Sequence, residues 1–346
     1  MTLSDDDDLW LDPPPPSPEA PGDDFFDAPV AEPSAEVAPT RPLRLVTTPP
    51  PAAKPSAKAP AWERHGVRSV AQMLQAVADA CKRREPEPNC TTGNDKLDEL
   101  IGGYRRRHIT VLGAATHFGK STFAIMAFDE ADRAGKRALI VSSEDSELLY
   151  GKRIASRRTG VQATKLRDGT VDEHEIARLF KCGADASLTR GFLYGVGRST
   201  EELAEAVREL CAEENYDLVI VDYLQAFRAK AQDRRNEVTT VARLFSDAIK
   251  SGNAAGLLLS QIKRLESGRE PTMSDLKETG DIEIFAEHVI IGVSEDAKRE
   301  VFAAEDQPAR KQRYLKLEKN KDGPASADRI YLAFDDMTAS FRRQRT

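Results

Sequence analysis

The sequence has few of the features that mark a metal-binding, disulfide-rich or membrane protein. Its four cysteines lie far apart, without the Cys-x-x-Cys spacing of a zinc site or the density of a disulfide framework. No apolar run approaches the length of a membrane span, and the N-terminus is acidic where a signal peptide would be basic. These absences favour a cytoplasmic protein with reduced thiols and no contact with a membrane.

An excess of basic residues is also missing, since the 346 residues carry a formal net charge of −7. Residues 1–60 account for all of it, with 11 acidic and 4 basic residues, and they also hold 15 of the 20 prolines. Residues 61–346 have 46 charges of each sign. The acidic balance therefore does not exclude a nucleic-acid partner, but any contact with DNA would have to come from local basic loops.

Residues 1–60 contain too few large apolar residues to offset the entropy of ordering, so we expect them to be a disordered tail. Two acidic-aromatic clusters interrupt this tail, one at Trp10 and one at Phe25 and Phe26. They are either docking motifs for a partner, a decoy for a basic DNA channel, or part of a tail that only aids solubility.

The stretch from His108 to Ser121, HITVLGAATHFGKS, predicts a phosphate-binding loop. An apolar strand, Ile109 to Leu112, precedes a loop of mostly small residues, and a helix begins at Gly119-Lys120-Ser121. In such a loop the backbone N–H groups face an anion, the lysine reaches the terminal phosphates and the next hydroxyl binds magnesium. Ala114 stands where the usual pattern has glycine. The predicted nucleotide-binding residues are Ala114, Ala115, Thr116, His117, Phe118, Gly119, Lys120, Ser121 and Thr122.

Further apolar strands alternate with helical patterns along the chain. The strands are expected at Arg137–Val141, Phe192–Val196, Leu218–Val221, Gly256–Leu259 and Val289–Val293. This alternation predicts an α/β protein with a mainly parallel central sheet covered on both faces, and the ligand site should lie at the carboxyl ends of the strands. An antiparallel pair, Arg313–Lys319 and Arg329–Phe334, is expected to follow.

Three polar residues stand at the predicted carboxyl ends of strands. Asp222 follows a wholly apolar strand and would hold magnesium. Glu144 follows a second strand and would orient or deprotonate the attacking water, because hydrolysis needs such a group. Gln261 ends a third strand, where its amide could sense the terminal phosphate. The alternative for Glu144 is a solvated acidic residue in a loop, and the alternative for Gln261 is an ordinary polar residue at the end of a strand.

Several motifs occur in an order that resembles the DnaB-type replicative helicases of superfamily 4, from about Val67 to Phe341. They are TTGNDKLDELIGG, ATHFGKS, SSED with Arg153, LVIVDYLQ, LLSQIKRLESGREPTMSDLKETGDIE and KNKDGP. The resemblance implies a RecA-like P-loop ATPase domain that uses ATP and Mg²⁺. It also implies a ring, usually a hexamer, that translocates 5′ to 3′ on single-stranded DNA and unwinds forked duplex during replication.

Residue by residue, the resemblance assigns the same roles to Lys120, Ser121, Glu144, Asp222 and Gln261, and it adds Arg153 to the nucleotide site. It also matches Lys319 and Lys321 to a Lys-x-Arg pair that enters the active site of the adjacent subunit, which would make both catalytic. Lysine at position 321 supplies the positive charge without the planar fork of arginine.

The resemblance further suggests that two basic segments, Arg228–Arg235 and Lys263–Arg269, are pore loops that bind DNA. The residues expected to contact DNA are Arg228, Lys230, Arg234, Arg235, Lys263, Arg264 and Arg269. The alternative is that both segments are merely solvated surface, as charged runs usually are.

The resemblance does not extend to the globular N-terminal domain of the family, and we expect it to be absent. Our predicted division is a tail at residues 1–60, a linker helix with a Pro-rich connector at 61–88, and the ATPase domain at 89–346. The amphipathic helix Val67–Arg84 resembles the family's linker helix, which docks on a neighbouring subunit. The acidic tail could bind a replication partner.

Two other functions use the same features. An ATP-dependent loader or recombination mediator would bind single-stranded DNA with this ATPase core but would not unwind duplex processively. An assembly scaffold with a vestigial site is disfavoured, because the expected phosphate, magnesium, water and sensor residues are all present.

Overall fold

The computed structural model describes residues 69–83, 90–185, 191–263, 269–276, 282–296 and 311–344. Our expectations for the tail of residues 1–60, the Pro-rich connector and Arg264 lie outside these ranges. The chain divides into two units, residues 1–73 and 74–346. Among the described residues, no helix is long and apolar enough to cross a membrane.

The amphipathic helix expected between Val67 and Arg84 is present as α1, Val70–Arg83. Its large apolar residues recur at three- and four-residue spacing, which places them on one face. They are exposed, and they are Val70, Met73, Leu74 and Val77.

The second unit is built on an eight-stranded sheet in the order β3-β2-β4-β5-β1-β6-β7-β8. The strands are β1 Ile109–Ala114, β2 Ala138–Ser142, β3 Phe192–Tyr194, β4 Leu218–Asp222, β5 Ala255–Gln261, β6 His288–Asp296, β7 Lys311–Asn320 and β8 Ser326–Leu332. The first six are parallel, whereas β7 and β8 pair antiparallel, as the sequence predicts. A two-stranded sheet of β9 Phe334–Asp335 and β10 Ser340–Phe341 follows.

The remaining helices are α2 Asp95–Ile101, α3 Lys120–Arg133, α4 Glu147–Thr159, α5 Ala163–Asp168, α6 Glu173–Asp185, α7 Thr200–Glu214, α8 Arg234–Ser251 and α9 Ile282–Phe285. Short 3-10 turns lie at Leu224–Ala226 and Met273–Asp275. Local sequence explains several of the helix ends. Asn94 caps α2, which ends at Gly102 in the left-handed conformation, and Ser199 with Glu202 forms a capping box at α7.

The sheet is apolar on both faces because helices cover both. Val219 and Val221 of β4 belong to one core together with residues of α7 and α8. Leu218 and Ile220 point the other way, into a core shared with α2, α3 and β10. This arrangement accounts for the uninterrupted apolar strands in the sequence.

The strand register places the expected site residues at one edge of the sheet. Ala114 pairs with Gln261, and Ser142 pairs with Asp222. Gln261 is the last residue of β5, as expected from the sequence. Some expected boundaries were wrong. Arg234 and Arg235 form the first turn of α8 rather than the end of a loop, because the Asp233 side chain caps that helix. The strand expected at Phe192–Val196 ends at Tyr194, and the strand expected at Arg329–Phe334 is Ser326–Leu332.

Candidate nucleotide site

The loop between β1 and α3 has the form expected of a phosphate-binding loop. His117 and Gly119 adopt positive φ angles of 68° and 101°, which turn the chain into the helix at Lys120. A Cβ atom on Gly119 would lie 3.3 Å from the Phe341 ring, so glycine suits both the space and the conformation. The amino end of α3 therefore faces the mouth of the loop, where an anion would be stabilised.

Lys120 lies over this loop. Its ammonium donates to the carbonyl oxygens of Ala114 and Ala115 at 3.1 and 3.2 Å. Burial lowers the pKa of Lys120, while the nearby carboxylates of Asp222 and Glu144 oppose that shift. The ammonium is thus held where it could exchange loop carbonyls for phosphate oxygens.

Two of the predicted nucleotide-binding residues have buried side chains. Ala114 ends β1 in the core, and Phe118 is 1% exposed with its ring 6.0 Å from that of Phe341. A Cβ atom at Gly292 would come within 2.6 Å of the Phe118 ring, so this ring packs directly on β6. Only the backbone of these two residues could meet a ligand, and their side chains anchor the loop to the sheet.

Ser121 and Asp222 meet at the magnesium position expected from the sequence. Asp222 is 4% exposed, and its carboxylate is hydrogen-bonded to the Ser121 side chain and accepts from the Tyr150 hydroxyl. Burial raises the pKa of Asp222, and the hydrogen bonds from Ser121 and Tyr150 oppose the shift. One hydroxyl and one carboxylate fit Mg²⁺, which usually takes one or two protein oxygens together with phosphates and water.

Glu144 and Gln261 reach the same space from other strands. The Glu144 carboxylate is hydrogen-bonded to the Tyr223 hydroxyl, and burial followed by this carboxylate raises the pKa of Tyr223. The Gln261 side-chain amide donates to the Thr116 hydroxyl of the loop at 2.9 Å. Glu144 and Gln261, the residues expected to orient water and to sense the phosphate, therefore lie beside the phosphate-binding loop.

These side chains line one cleft of about 280 Å³. Its residues are Thr116, His117, Gly119, Lys120, Ser121, Thr122, Glu144, Asp145, Arg153, Asp222, Tyr223 and Gln261. Arg153 forms an ion pair with Asp145 at 2.7 Å, so its guanidinium already has an acidic partner at the rim. Sequence reasoning missed Asp145, Tyr223 and the buried Tyr150; the first two directly follow predicted site residues, which was the available signal.

A larger cleft of about 830 Å³ lies elsewhere, beside β9 and β10, and it is rich in arginine. Its charges are satisfied within the chain. Glu130 pairs with Arg157 and with Arg343, both at 2.9 Å, and Arg342 pairs with Asp335 at 2.6 Å. We therefore interpret this cleft as a structural ion network that holds the C-terminal strands in place.

Lys319 and Lys321 lie at the opposite edge of the sheet from the cleft. Asn320, between them, pairs with His288 at the amino end of β6, which in turn pairs with Thr110 of β1. With a rise of about 3.3 Å per residue, this level is roughly 13 Å from Ala114 along β1. The two lysines therefore do not join the cleft of their own chain.

The turn that follows β7 is fixed by charged contacts. The Lys321 ammonium donates to the Glu287 carboxylate at 3.2 Å, and Glu287 also accepts from Lys250 at 3.0 Å and from the Ile109 N–H at 2.7 Å. Asp322 lies 3.2 Å from the buried His288. Lys321, one of the two lysines that the resemblance suggests are catalytic, is thus held by the acidic side chain of Glu287 in its own chain.

The predicted DNA-binding residues fall into two groups in the structure. Arg228, Lys230, Arg235 and Lys263 are exposed in segments that leave the carboxyl ends of β4 and β5, the edge that carries the cleft. Arg234 is engaged instead with Glu237 and with the Gln225 carbonyl, and Arg269 pairs with Asp275. Arg228 also lies 3.5 Å from Glu237, and the side chain of Arg269 is 51% exposed, so Arg269 presents charge to solvent as well, while Arg234 mainly helps to shape its segment.

Gln225 connects the cleft to the first of these segments. Its side chain accepts from the Gln261 N–H at 3.1 Å and donates to the Ser260 hydroxyl at 3.0 Å, and its carbonyl accepts from Arg234. A chain of hydrogen bonds therefore runs from Thr116 of the loop through Gln261 and Gln225 to the start of α8.

Comparisons with known proteins agree with this geometry. A family model described as the DnaB-like helicase C terminal domain matches residues 90–343. The replicative DNA helicase DnaB of Treponema pallidum is 25% identical over 225 residues, which cover 64% of this chain and 51% of that protein. The replicative DNA helicase DnaB of Rickettsia bellii is 26% identical over 273 residues, covering 72% and 54%. The chain thus spans about half the length of these curated relatives.

Two solved structures show the same fold. One is an ATPase domain solved by itself, which superposes with a TM-score of 0.69 at 21% identity, covering 80% of this chain and 99% of that one. The other is a DnaB-like replicative helicase, whose structure was solved with a view to its interactions with primase. It gives a TM-score of 0.67 at 20% identity, covering 82% and 70%. This likeness confirms the α/β fold class expected from the sequence.

Proposed function

Because the chain belongs to the family of DnaB-like helicase C-terminal domains, we propose that it is an ATP-dependent DNA helicase of the DnaB type. In this proposal it forms a ring, as a homohexamer, that moves 5′ to 3′ along single-stranded DNA and unwinds forked duplex during replication. It acts in the cytoplasm. The observation that carries the proposal is the cleft in which Lys120, Ser121, Glu144, Asp222 and Gln261 converge from four strand ends.

The cleft binds the phosphates of ATP at the amino end of α3. The Lys120 ammonium turns from the loop carbonyls to the terminal phosphates, and Ser121 with Asp222 holds Mg²⁺. Bound magnesium supplies positive charge that offsets the charge developing on the phosphates. Arg153, at the rim with Asp145, contacts the nucleotide.

Glu144 takes the proton of the attacking water. The Tyr223 hydroxyl donates to Glu144, which fixes the carboxylate at the mouth of the cleft before substrate arrives. Gln261, hydrogen-bonded to Thr116, responds when the terminal phosphate is lost. Its bond to Gln225 passes that change towards the basic segment after β4.

DNA binds to the exposed basic residues on the segments that follow β4 and β5, chiefly Arg228, Lys230, Arg235 and Lys263. Arg264, the next residue in the sequence after Lys263, is part of the same proposal. Lys319 and Lys321 complete the site of the adjacent subunit. The acidic tail offers a surface to a replication partner.

A forked-duplex unwinding assay tests the function directly. The chain should separate the strands with ATP and Mg²⁺, and Glu144→Gln should not, although both proteins bind the fork. Hydrolysis that is stimulated by single-stranded DNA without strand separation would contradict the helicase proposal and favour a loader or recombination mediator.

A further inference from the structure

Tyr150 is a buried tyrosine that the proposed mechanism does not yet use. It lies on α4 with 2% of its surface exposed, and its ring packs against Phe192 with a centroid distance of 5.1 Å. Its hydroxyl donates to Oδ2 of Asp222. Tyr150 and Asp222 are 72 residues apart in the chain, so this contact becomes visible only in the structure.

The hydrogen bond has a fixed direction. A carboxylate can only accept, so the tyrosine oxygen must be the donor. At neutral pH a phenol keeps its proton, so it is able to donate. Asp222 therefore has a permanent donor on one of its two oxygens.

The hydrogen bond from Tyr150 matters because the two expected metal ligands come from different elements. Asp222 ends β4, and Ser121 lies in the first turn of α3. A carboxylate rotates about its last torsion unless its oxygens are held. Oδ2 is bonded to Tyr150, and the carboxylate is also hydrogen-bonded to the side chain of Ser121, the expected second ligand of the metal. Ligands held in this way by outer partners bind metal more tightly than free ones.

We infer that Tyr150 is a positioning residue that orients the Asp222 carboxylate for Mg²⁺, so that it sets the metal requirement of the nucleotide site. The inference rests on the proposed function, since it assumes that the cleft binds a magnesium nucleotide. It concerns a residue that touches neither the nucleotide nor the metal, and it acts only through Asp222.

The test is a magnesium titration of nucleotide binding with the full chain. Binding of a fluorescent ADP is measured first with a chelator and then at increasing Mg²⁺, for the unsubstituted chain and for Tyr150→Phe. Tyr150→Phe should bind the metal-free nucleotide as the unsubstituted chain does but need roughly tenfold more Mg²⁺ to reach half of the metal-dependent tightening. Ser121→Ala marks the result of removing a metal ligand outright.

Tyr104→Phe is the matched control. Tyr104 is also 2% exposed and lies in the same core, but its hydroxyl has no hydrogen-bond partner among the described residues. Removing that hydroxyl should leave the magnesium midpoint unchanged. Thermal unfolding of both variants without nucleotide reports any general loss of packing.

Two results would overturn the inference. An unchanged magnesium midpoint in Tyr150→Phe would show that the hydroxyl does not position Asp222. An equal loss of affinity with and without metal would show that the substitution only disturbs the cleft. If the unsubstituted chain bound no nucleotide, the proposed function itself would be wrong. Failure of the inference alone would leave nucleotide binding by the unsubstituted chain intact.

Discussion

Lys120 and Glu144 serve different stages of the proposed reaction, so their substitutions should fail in different ways. Lys120→Ala removes the ammonium that lies over the loop and should abolish both nucleotide binding and hydrolysis. Glu144→Gln keeps the loop intact, and it should lose about 10² to 10⁴-fold in hydrolysis while still binding ATP. Steady-state ATPase rates and binding of a fluorescent nucleotide separate the two. Equal loss of binding in both variants would show that Glu144 has another role.

The residues that sequence reasoning found at the cleft share a simple property. Apart from Arg153, which lies on α4, each stands at the end of an apolar strand, in the loop that follows one or in the first turn of the next helix, and parallel strands bring those ends to one edge. Asp222 and Gln261 could be placed on this ground alone. Tyr150 and Gln225 could not, because each is fixed by a partner on a distant element.

At the scale of elements, the strands were easier to predict than the segments between them. Uninterrupted apolar runs bounded β1 and β4 to within two residues, since both faces of each strand are covered. The short helix α5 was missed. Its six residues, Ala163–Asp168, include no buried side chain, so no apolar periodicity announces it, and it depends on the left-handed Gly169 at its end.

The turn after β7 should be stabilised by Glu287 in a pH-dependent way. Burial would raise the pKa of Glu287, but hydrogen bonds from the Ile109 N–H, Lys250 and Lys321 outweigh it and lower the pKa below its ordinary value of 4.5. Above pH 4.5, Glu287 is ionised in both the folded and the unfolded chain, and its full stabilisation is present. This stabilisation is lost as the pH falls through the pKa of Glu287 in the folded chain.

Glu287→Gln should therefore lower the free energy of unfolding by about 1 to 3 kcal/mol at pH 7, because a partly buried acceptor of charged donors is weakened. The difference from the unsubstituted chain should shrink as the pH falls below the ordinary pKa of 4.5 and through the lowered pKa of Glu287. Urea unfolding at several pH values measures it. Glu214→Gln, at an exposed pair with Arg137, should change stability by less than about 1 kcal/mol. A difference for Glu287→Gln that persists at low pH would contradict the ion-pair account.

The segment after β4 should contribute to DNA affinity through charge rather than base stacking. Arg228 is 74% exposed in its side chain, and Lys230 beside it is exposed as well. Reversing both charges with Arg228→Glu and Lys230→Glu should weaken single-strand binding uniformly across sequences and lower the salt slope by about 1.4, since each phosphate contact contributes about 0.7. Fluorescence anisotropy at several salt concentrations provides both quantities.

Arg137→Glu is the control for that experiment, because Arg137 is half exposed and precedes β2 at the amino edge of the sheet. It should leave the affinity and the salt slope unchanged. If the double variant after β4 behaves like this control, the DNA path lies elsewhere on the molecule.

At the scale of the whole molecule, the residues of the proposed reaction lie at opposite ends of the parallel strands. The cleft lies at the carboxyl edge, and Lys321 follows β7 at the amino edge, where it contacts Glu287. A lysine side chain cannot cross the roughly 13 Å of strand between them. If Lys321 acts on phosphate, it must act on that of a neighbouring subunit, and hydrolysis then requires assembly.

This requirement permits a mixing test with two poorly active variants. Glu144→Gln subunits lack the water-activating group but keep Lys321, while Lys321→Ala subunits keep Glu144 and lack the lysine. In a mixed ring, some sites of Lys321→Ala subunits face a Glu144→Gln neighbour, and those interfaces contain every working part. Mixing and reassembly should therefore partly restore the ATPase rate, with a maximum at comparable amounts of the two proteins. A Glu144→Gln, Lys321→Ala double variant mixed with either single variant supplies the control, because no additional interface becomes complete. If subunits demonstrably exchange between rings and the rate stays at the sum of the separate variants, Lys321 takes no part in the site of its neighbour.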